Sequence, residues 1–297
     1  MQIALVCSFV RAEERWIYEA FRRAGVTVDM VNDRSIVVDL DRLDGWRKYD
    51  AVVLRSLGYW RALHLARCFE ALGLPVINPF SVVLTCGNKL LTTLTLIRAG
   101  IPVPHTRIAF SVDAALRGMD DMGYPVVLKP VVGSWGRLIA RLNDRDAAEA
   151  VLEHRDTLGA FVHHIYYLQE HIPKPNRDIR VIVVGGQVVA SIYRHSDHWI
   201  TNTARGGRAT RCPLTPELHD LCLRTAMAIG GGILAIDVFE DPERGLLVNE
   251  VNHSMEFRNA MEASGVDIPA YIVDFVQQVV RYGWEEAHMA PVSESRL

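Results

Sequence analysis

Apolar and polar positions over the first 80 residues follow two periods. Ile3–Val6, Val26–Val31 and Ala51–Leu54 are apolar runs of strand length, and Val76–Ile77 is a fourth, brief one before Asn78 and Pro79. Between them, Trp16, Ile17, Ala20, Phe21 and Ala24 recur at helical spacing over Glu13–Ala24, and Gly25 ends the pattern. A second helical stretch covers Tyr59–Leu72 and stops at Gly73. Strand and helix in alternation predict a parallel sheet covered on both faces.

Residues 81–100 read as one helix carrying Lys89, closed by Gly100 with Pro102 and Pro104 beyond it. Residues 105–150 read as a compact α+β unit: strand Thr106–Phe110, a capped helix Ser111–Met122, strand Pro125–Lys129, a loop Pro130–Arg137 with two glycines, strand Ile139–Leu142 and helix Asp144–His154. Phe161–Ile172 is a strand region broken by Pro173 and Pro175, and Asp178–Val184 and Val188–Tyr193 form a hairpin around Gly185 and Gly186. Residues 201–211 read as loop, Pro216–Ile229 and Pro269–Tyr282 as helices, and the polar tail from Glu285 as frayed. The expected divisions are 1–85, 86–167 and 168–284, with 285–297 a flexible tail.

The segments around Asp237 and Glu250 read as a second hairpin, with Asp241-Pro242 and Arg244-Gly245 between them. In a strand, Glu250 and Asn252 point to one face, and Asp237 would meet them across the hairpin. Two carboxylates and an amide oxygen suit Mg²⁺ shared with substrate phosphates. An acidic hairpin edge facing water has the same spacing.

The 297 residues are 49% hydrophobic and 23% charged, with net charge −3, which gives no overall pull toward nucleic acid or membrane. Five scattered cysteines form no CxxC pair, so reduced thiols and a cytoplasmic setting are expected. The apolar start lacks a basic flank and reads as a buried strand rather than a signal peptide. No GxGxxG follows the first strand, the Pro130–Arg137 loop is not a P-loop, and neither GxSxG nor HExxH occurs. His163, His164, His171, His195, His198 and His253 show no metal spacing. Arg55, at the end of the third strand, is either a site residue or a surface arginine. Arg177, Arg180, Arg194, Arg205, Arg208 and Arg211 either converge on a cleft or form a solvated basic face.

In chain order these pieces are Lys89, then Lys129 before a glycine loop, Gln169-Glu170-His171-Ile172, Asp178-Ile179-Arg180, Asn202-Thr203-Ala204-Arg205, Asp237, and Asn249-Glu250-Val251-Asn252. The succession resembles the ATP-grasp superfamily over residues 1–283, and within it the RimK-like branch. The chain is similar to the LysX family of that branch, which joins the α-amino group of 2-aminoadipate to the side-chain carboxylate of a carrier protein's C-terminal glutamate in lysine biosynthesis. That resemblance implies an α/β (α+β) ATP-grasp fold: a parallel N-terminal α/β pre-ATP-grasp domain, a small central lid and a C-terminal mixed-sheet domain.

It also implies ATP and Mg²⁺ as cofactors, the small acidic carrier LysW as partner and a homo-oligomer. On matching positions, Lys89 and Lys129 hold ATP phosphates, and Gly133, Ser134, Trp135, Gly136 and Arg137 form the covering loop. Gln169, Glu170, His171 and Ile172 form the adenine hinge, with Asp178 near the ribose. Arg194 and Asn202 lie around the triphosphate, Asp237, Glu250 and Asn252 ligate Mg²⁺, and Arg205 meets a substrate carboxylate or acyl phosphate. Asn259-Ala260 matches the Asn-Thr/Ala pair of the aminoadipate enzymes, whereas related glutamate-accepting ligases carry Gly-Phe. Other readings are a ligase adding glutamate to a protein C-terminus or to the carrier protein (the arginine/ornithine route), an ATP-binding regulator without turnover, and an unrelated α/β scaffold.

Overall fold

The computed structural model describes residues 1–40, 43–133, 136–201 and 207–288. The first four apolar runs become β1 (Gln2–Cys7), β2 (Thr27–Asn32), β3 (Ala51–Arg55) and β4 (Val76–Ile77), all parallel, in the order β2-β1-β3-β4. Alternation along β1 divides its side chains between two cores. Ala4 and Val6 pack with Phe69 of α2 (Tyr59–Ala71). Ile3 and Leu5 pack with Phe21 of α1 (Ala12–Arg23) and with residues from the far end of the chain, among them Phe275.

The helix expected over 81–100 is two, α3 (Phe80–Cys86) and α4 (Lys89–Arg98), bent by 101° at Gly87-Asn88. Two causes explain the break, one distant in sequence and one local. The ring of Tyr59 occupies the space a Cβ of Gly87 would need. The Asn88 side chain accepts from the amides of Leu90 and Leu91, so it starts a new helix. No single helix among the described residues is long and apolar enough to cross a membrane.

A second sheet contains β5 (Thr106–Ala109), β6 (Val126–Pro130), β7 (Ala140–Leu142) and β8 (Tyr166–Glu170), antiparallel in the order β5-β8-β6-β7. Helices α5 (Val112–Met122) and α6 (Arg145–Leu158) cover one face of it. β8 runs across the division drawn at 167/168.

The third sheet contains β9 (Arg177–Val184), β10 (Gln187–His195), β11 (Arg208–Arg211), β12 (Ile233–Asp241) and β13 (Gly245–Asn252), ordered β11-β10-β9-β12-β13. The mixed sheet expected here is antiparallel throughout, because two hairpins supply four of its strands. β11 corrects the loop expected over 201–211: Arg208 to Arg211 pair with His195 to Ile192 as an edge strand. Helix α7 (Pro216–Ile229) packs on one face; α8 (Arg258–Ser264) and α9 (Ile268–Tyr282) serve the other. The tail does not fray at Glu285. Trp284–Ala287 is a further turn, α10, with Ala287 buried in the core and the Trp284 indole donating to Gly230 O at 3.1 Å. Residues 289–297 lie outside the described residues.

Polar contacts fasten the first sheet to the third. Asn78 donates to the carbonyls of Ile233 and His253 at 2.9 and 2.8 Å and accepts from the Ile233 amide at 2.8 Å. Arg55 is neither a surface residue nor a ligand. It is 4% exposed, donates to Glu14 Oε1 at 3.0 Å and to Met255 O at 2.8 Å, and so anchors the segment after β13. Burial raises the pKa of Glu14, but hydrogen bonds from Arg11 and the charges of Arg55 and Arg11 outweigh it and hold the carboxyl at about 2. Because the folded pKa is depressed, this stabilisation is complete above the ordinary glutamate range and is lost as pH falls toward 2. Glu14→Gln leaves the buried Arg55 charge without its carboxylate, while Arg11 keeps Glu256, and lowers stability by about 3 kcal/mol. Urea unfolding at neutral pH measures this, and the gap between variant and parent should narrow in acid.

Candidate active site

A cleft of about 450 Å³ opens where the second and third sheets meet below the ends of β1 and β3. One wall is the hairpin of β12 and β13. Asp237 lies directly opposite Glu250, and Asn252 follows two residues on; all three line the cleft. Asn252 has a buried amide nitrogen with no hydrogen-bond partner among the described residues. The two ends of an amide exchange by a flip, so an oxygen can face the cleft there. With the two carboxylates this is a hard-oxygen donor set that fits Mg²⁺. Among the described residues no group of three or more His, Cys, Asp and Glu could hold a metal ion. A cation here therefore needs ligands from a bound molecule, as Mg²⁺ takes from phosphates.

Two lysines face the carboxylates. Lys89, the first residue of α4, places Nζ 3.3 Å from Glu250 Oε1 and donates to Gly133 O at 2.7 Å. The break at Gly87-Asn88 makes this reach possible. Lys129 comes from β6 and is 6% exposed. Burial pushes its pKa down to about 7, against the attraction of Glu250 and Asp237 and with the repulsion of Lys89. A phosphate ligand favours the charged form, so binding of Mg-ATP above pH 7 takes up close to one proton. Calorimetric titration in buffers of different ionisation enthalpy measures that uptake, which should vanish well below pH 7.

The hinge residues Gln169, Glu170, His171 and Ile172 leave β8 and line the cleft. Gln169 and Ile172 are buried; Glu170 accepts from the His105 amide at 2.6 Å and pairs with Arg244 at 2.8 Å. Gly133 and Gly136 also line the cleft, and Arg137 is exposed in the turn that follows. Ser134 and Trp135 lie outside the described residues, as do Asn202 and Arg205.

Behind Asp237 runs a buried ion network. Arg194 donates to both oxygens of Asp178 at 2.7 Å and sits 3.1 Å from Asp237 Oδ2. Arg180 donates to the two oxygens of Asp237 at 2.8 and 2.9 Å. Burial raises the Asp237 pKa, but the charges of Arg180 and Arg194 outweigh it, so the carboxyl stays ionised. Asp178 also accepts from Thr201 at 2.5 Å, and Thr201 accepts from Lys174 at 3.0 Å. Of the arginine cluster, only Arg180 and Arg194 reach the cleft among the described residues. Arg177 turns to Glu240 and lies over Tyr193, while Arg208 and Arg211 are exposed on β11.

A second cavity, about 260 Å³, adjoins the first and shares Arg11, Arg180, Arg194 and Glu256 with it. Glu13, Arg258, Asn259 and Ala260 complete its wall with Ala12 and Ile192. The sequence reading missed Arg11, Arg258, Lys174 and Asn249 as wall residues. Arg11, the N-cap of α1, and Arg258, at the start of α8, lie 247 residues apart in the chain, and no local signal joins them.

Residues 86–276 match the RimK-like ATP-grasp domain, and residues 3–85 match the LysX preATP-grasp domain. The chain belongs to the RimK-like ATP-grasp family. It is accordingly a carboxylate–amine ligase, and ATP-grasp enzymes use ATP, typically with Mg²⁺. It is 36% identical over 284 residues to an alpha-aminoadipate–LysW ligase LysX of Sulfurisphaera tokodaii, covering 95% of this chain and 100% of that one. It is 33% identical to a glutamate–LysW ligase ArgX of Sulfolobus acidocaldarius, over 93% of this chain and 98% of the relative. The crystal structure of a RimK-domain ATP-grasp protein from Sphaerobacter thermophilus superposes with a TM-score of 0.80 at 28% identity, covering 93% and 99% of the two chains. The ATP-grasp fold and the amino-acid ligase class anticipated from the residues are thus confirmed. Relatives with two different amine donors leave the donor to the site.

Proposed function

We propose that this ligase joins 2-aminoadipate, through its α-amino group, to the C-terminal glutamate side chain of a small acidic LysW-type carrier, as a step of lysine biosynthesis. The observation that carries this reading is the second cavity. Four arginines and the Asn259-Ala260 pair surround it, beside the metal face. A donor with two carboxylates finds a guanidinium for each, and Glu13 and Glu256 offer acceptors for its amine. A glutamate donor has the same charges in a shorter molecule and is the second reading, favoured by the similarity to the ArgX relative.

Lys89 and Lys129 bind the phosphates, Gln169 to Ile172 the adenine, and the loop from Gly133 to Arg137 covers them. Asp178, with Arg194, supports the nucleotide side. Asp237, Glu250 and Asn252 would hold Mg²⁺, which when bound offsets charge on the β- and γ-oxygens. The carrier carboxylate attacks the γ-phosphorus and ADP leaves, giving an acyl phosphate. The donor amine then attacks the acyl carbon, phosphate leaves, and the amine proton passes to solvent. Arg180, Arg194 and Arg205 offset charge on the transferring phosphoryl and acyl oxygens. A covered cleft keeps water from the acyl phosphate. A homo-oligomer is the expected assembly.

The test is to incubate the protein with Mg-ATP, carrier and either amino acid and weigh the carrier. The carrier should gain one 2-aminoadipate residue in preference to glutamate. Preference for glutamate selects the second reading, and no gain with either rejects both.

A further inference from the structure

Asn249 has no counterpart among the metal and phosphate ligands expected from the sequence. Strict alternation along β13 would put it on the face opposite Glu250. The strand pairing prevents this. Asp237 lies opposite Glu250, but its neighbour Val238 lies opposite Val248, so β13 advances two residues for one of β12. Asn249 is the extra residue of a β-bulge, and a bulge turns a side chain out of the alternation. Asn249 and Glu250 both line the cleft as a result.

The bulge also gives Asn249 a partner on another sheet. Its Oδ1 accepts a hydrogen bond of 2.9 Å from Lys129 Nζ, which comes from β6. Charged or neutral, the Lys129 amine carries N–H donors, and the amide oxygen of Asn249 accepts one of them. At hydrogen-bond distance Lys129 thus meets a neutral acceptor, whereas Lys89 Nζ lies 3.3 Å from a carboxylate oxygen. A neutral acceptor orients a charge without cancelling it. It also restricts a flexible four-carbon stem before the ligand arrives, so less freedom is lost on binding.

We propose that Asn249 is a positioning residue for Lys129: its amide oxygen, brought into the cleft by the bulge, fixes the ammonium across two sheets so that its other protons face the phosphates of ATP. The inference rests on the ATP-dependent ligase reading above. Asn249→Leu keeps the side-chain size and removes the acceptor. It should weaken Mg-ATP binding about tenfold, with a smaller change in kcat at saturating ATP.

The decisive experiment is a double-mutant cycle on the Mg-ATP dissociation constant, measured calorimetrically for the parent, Asn249→Leu, Lys129→Met and the double variant. The expected result is that Asn249→Leu has no further effect once Lys129 is Met. An equal loss in both backgrounds would show that Asn249 acts through Glu250 or the hairpin instead, and an unchanged affinity in the parent background would show that it has no role; either overturns the inference. If Asn249→Leu lowers the melting temperature, Asn249→Ala, which adds no branch at the bulge, carries the same cycle. A parent protein that binds no Mg-ATP rejects the ligase reading and this inference together. A parent that binds, with no coupling, rejects the inference alone.

Discussion

Glu250→Gln lowers turnover by about 10²–10³-fold and leaves thermal stability near that of the parent, whereas Asp237→Asn loses both. The two carboxylates face one another across one hairpin, yet their surroundings differ. Glu250 is partly exposed and meets only Lys89 within ion-pair distance among the described residues. The amide takes a negative charge from the wall of the cleft and little else. Asp237 is 3% exposed and lies between Arg180 and Arg194. An amide there leaves Arg180 without its charge partner in a buried site, a change that destabilises by about 3–5 kcal/mol. Thermal unfolding without nucleotide, beside phosphate release with it, separates the two. Equal stability of both variants would show that the arginines do not depend on Asp237.

The second large effect is on the donor. Exchanging Asn259-Ala260 for Gly-Phe should shift preference from 2-aminoadipate toward glutamate by about 10–100-fold in the ratio of kcat/KM values. Ala260 is 1% exposed and lines the arginine-walled cavity, so a phenyl ring at that position shortens it. The two donors differ by one methylene, and a methylene in a fitted pocket is worth roughly 1–3 kcal/mol. The ratio is measured by competition, with both amino acids in one reaction and the carrier weighed. A ratio unchanged in a well-folded variant would remove this pair from the specificity site.

The parts of the site that could be read from the chain are those carried by a strand period. Asp237, Glu250 and Asn252 follow from alternation and one turn, and the structure brings all three to one wall. Lys129 and the hinge from Gln169 follow from strands that end where the polar residues begin. What could not be read depends on contacts distant in sequence. The two-helix break at Gly87 needs the Tyr59 ring, nearly thirty residues earlier. Arg55 can be read from the chain as a site residue or a surface arginine, but Glu14 and Met255 claim it. Arg208 and Arg211 sit among glycine and polar residues that resemble loop, and only the neighbouring β10 makes them an edge strand. Asn249 violates the same alternation that places Glu250, because a bulge is a property of two strands and not of one. The arginine cluster divided for a similar reason: Arg180 and Arg177 are three apart on β9 and so face opposite ways, one to Asp237 and the other to Glu240.

The most direct measurement follows one oxygen atom. A carrier whose C-terminal glutamate side chain is labelled with ¹⁸O is incubated with the protein, Mg-ATP and 2-aminoadipate, and the released phosphate is weighed. If the carboxylate is activated as an acyl phosphate, each phosphate carries one labelled oxygen and each carrier gains one 2-aminoadipate residue. Ligation with unlabelled phosphate, or ATP consumption with no change in the carrier, would contradict it.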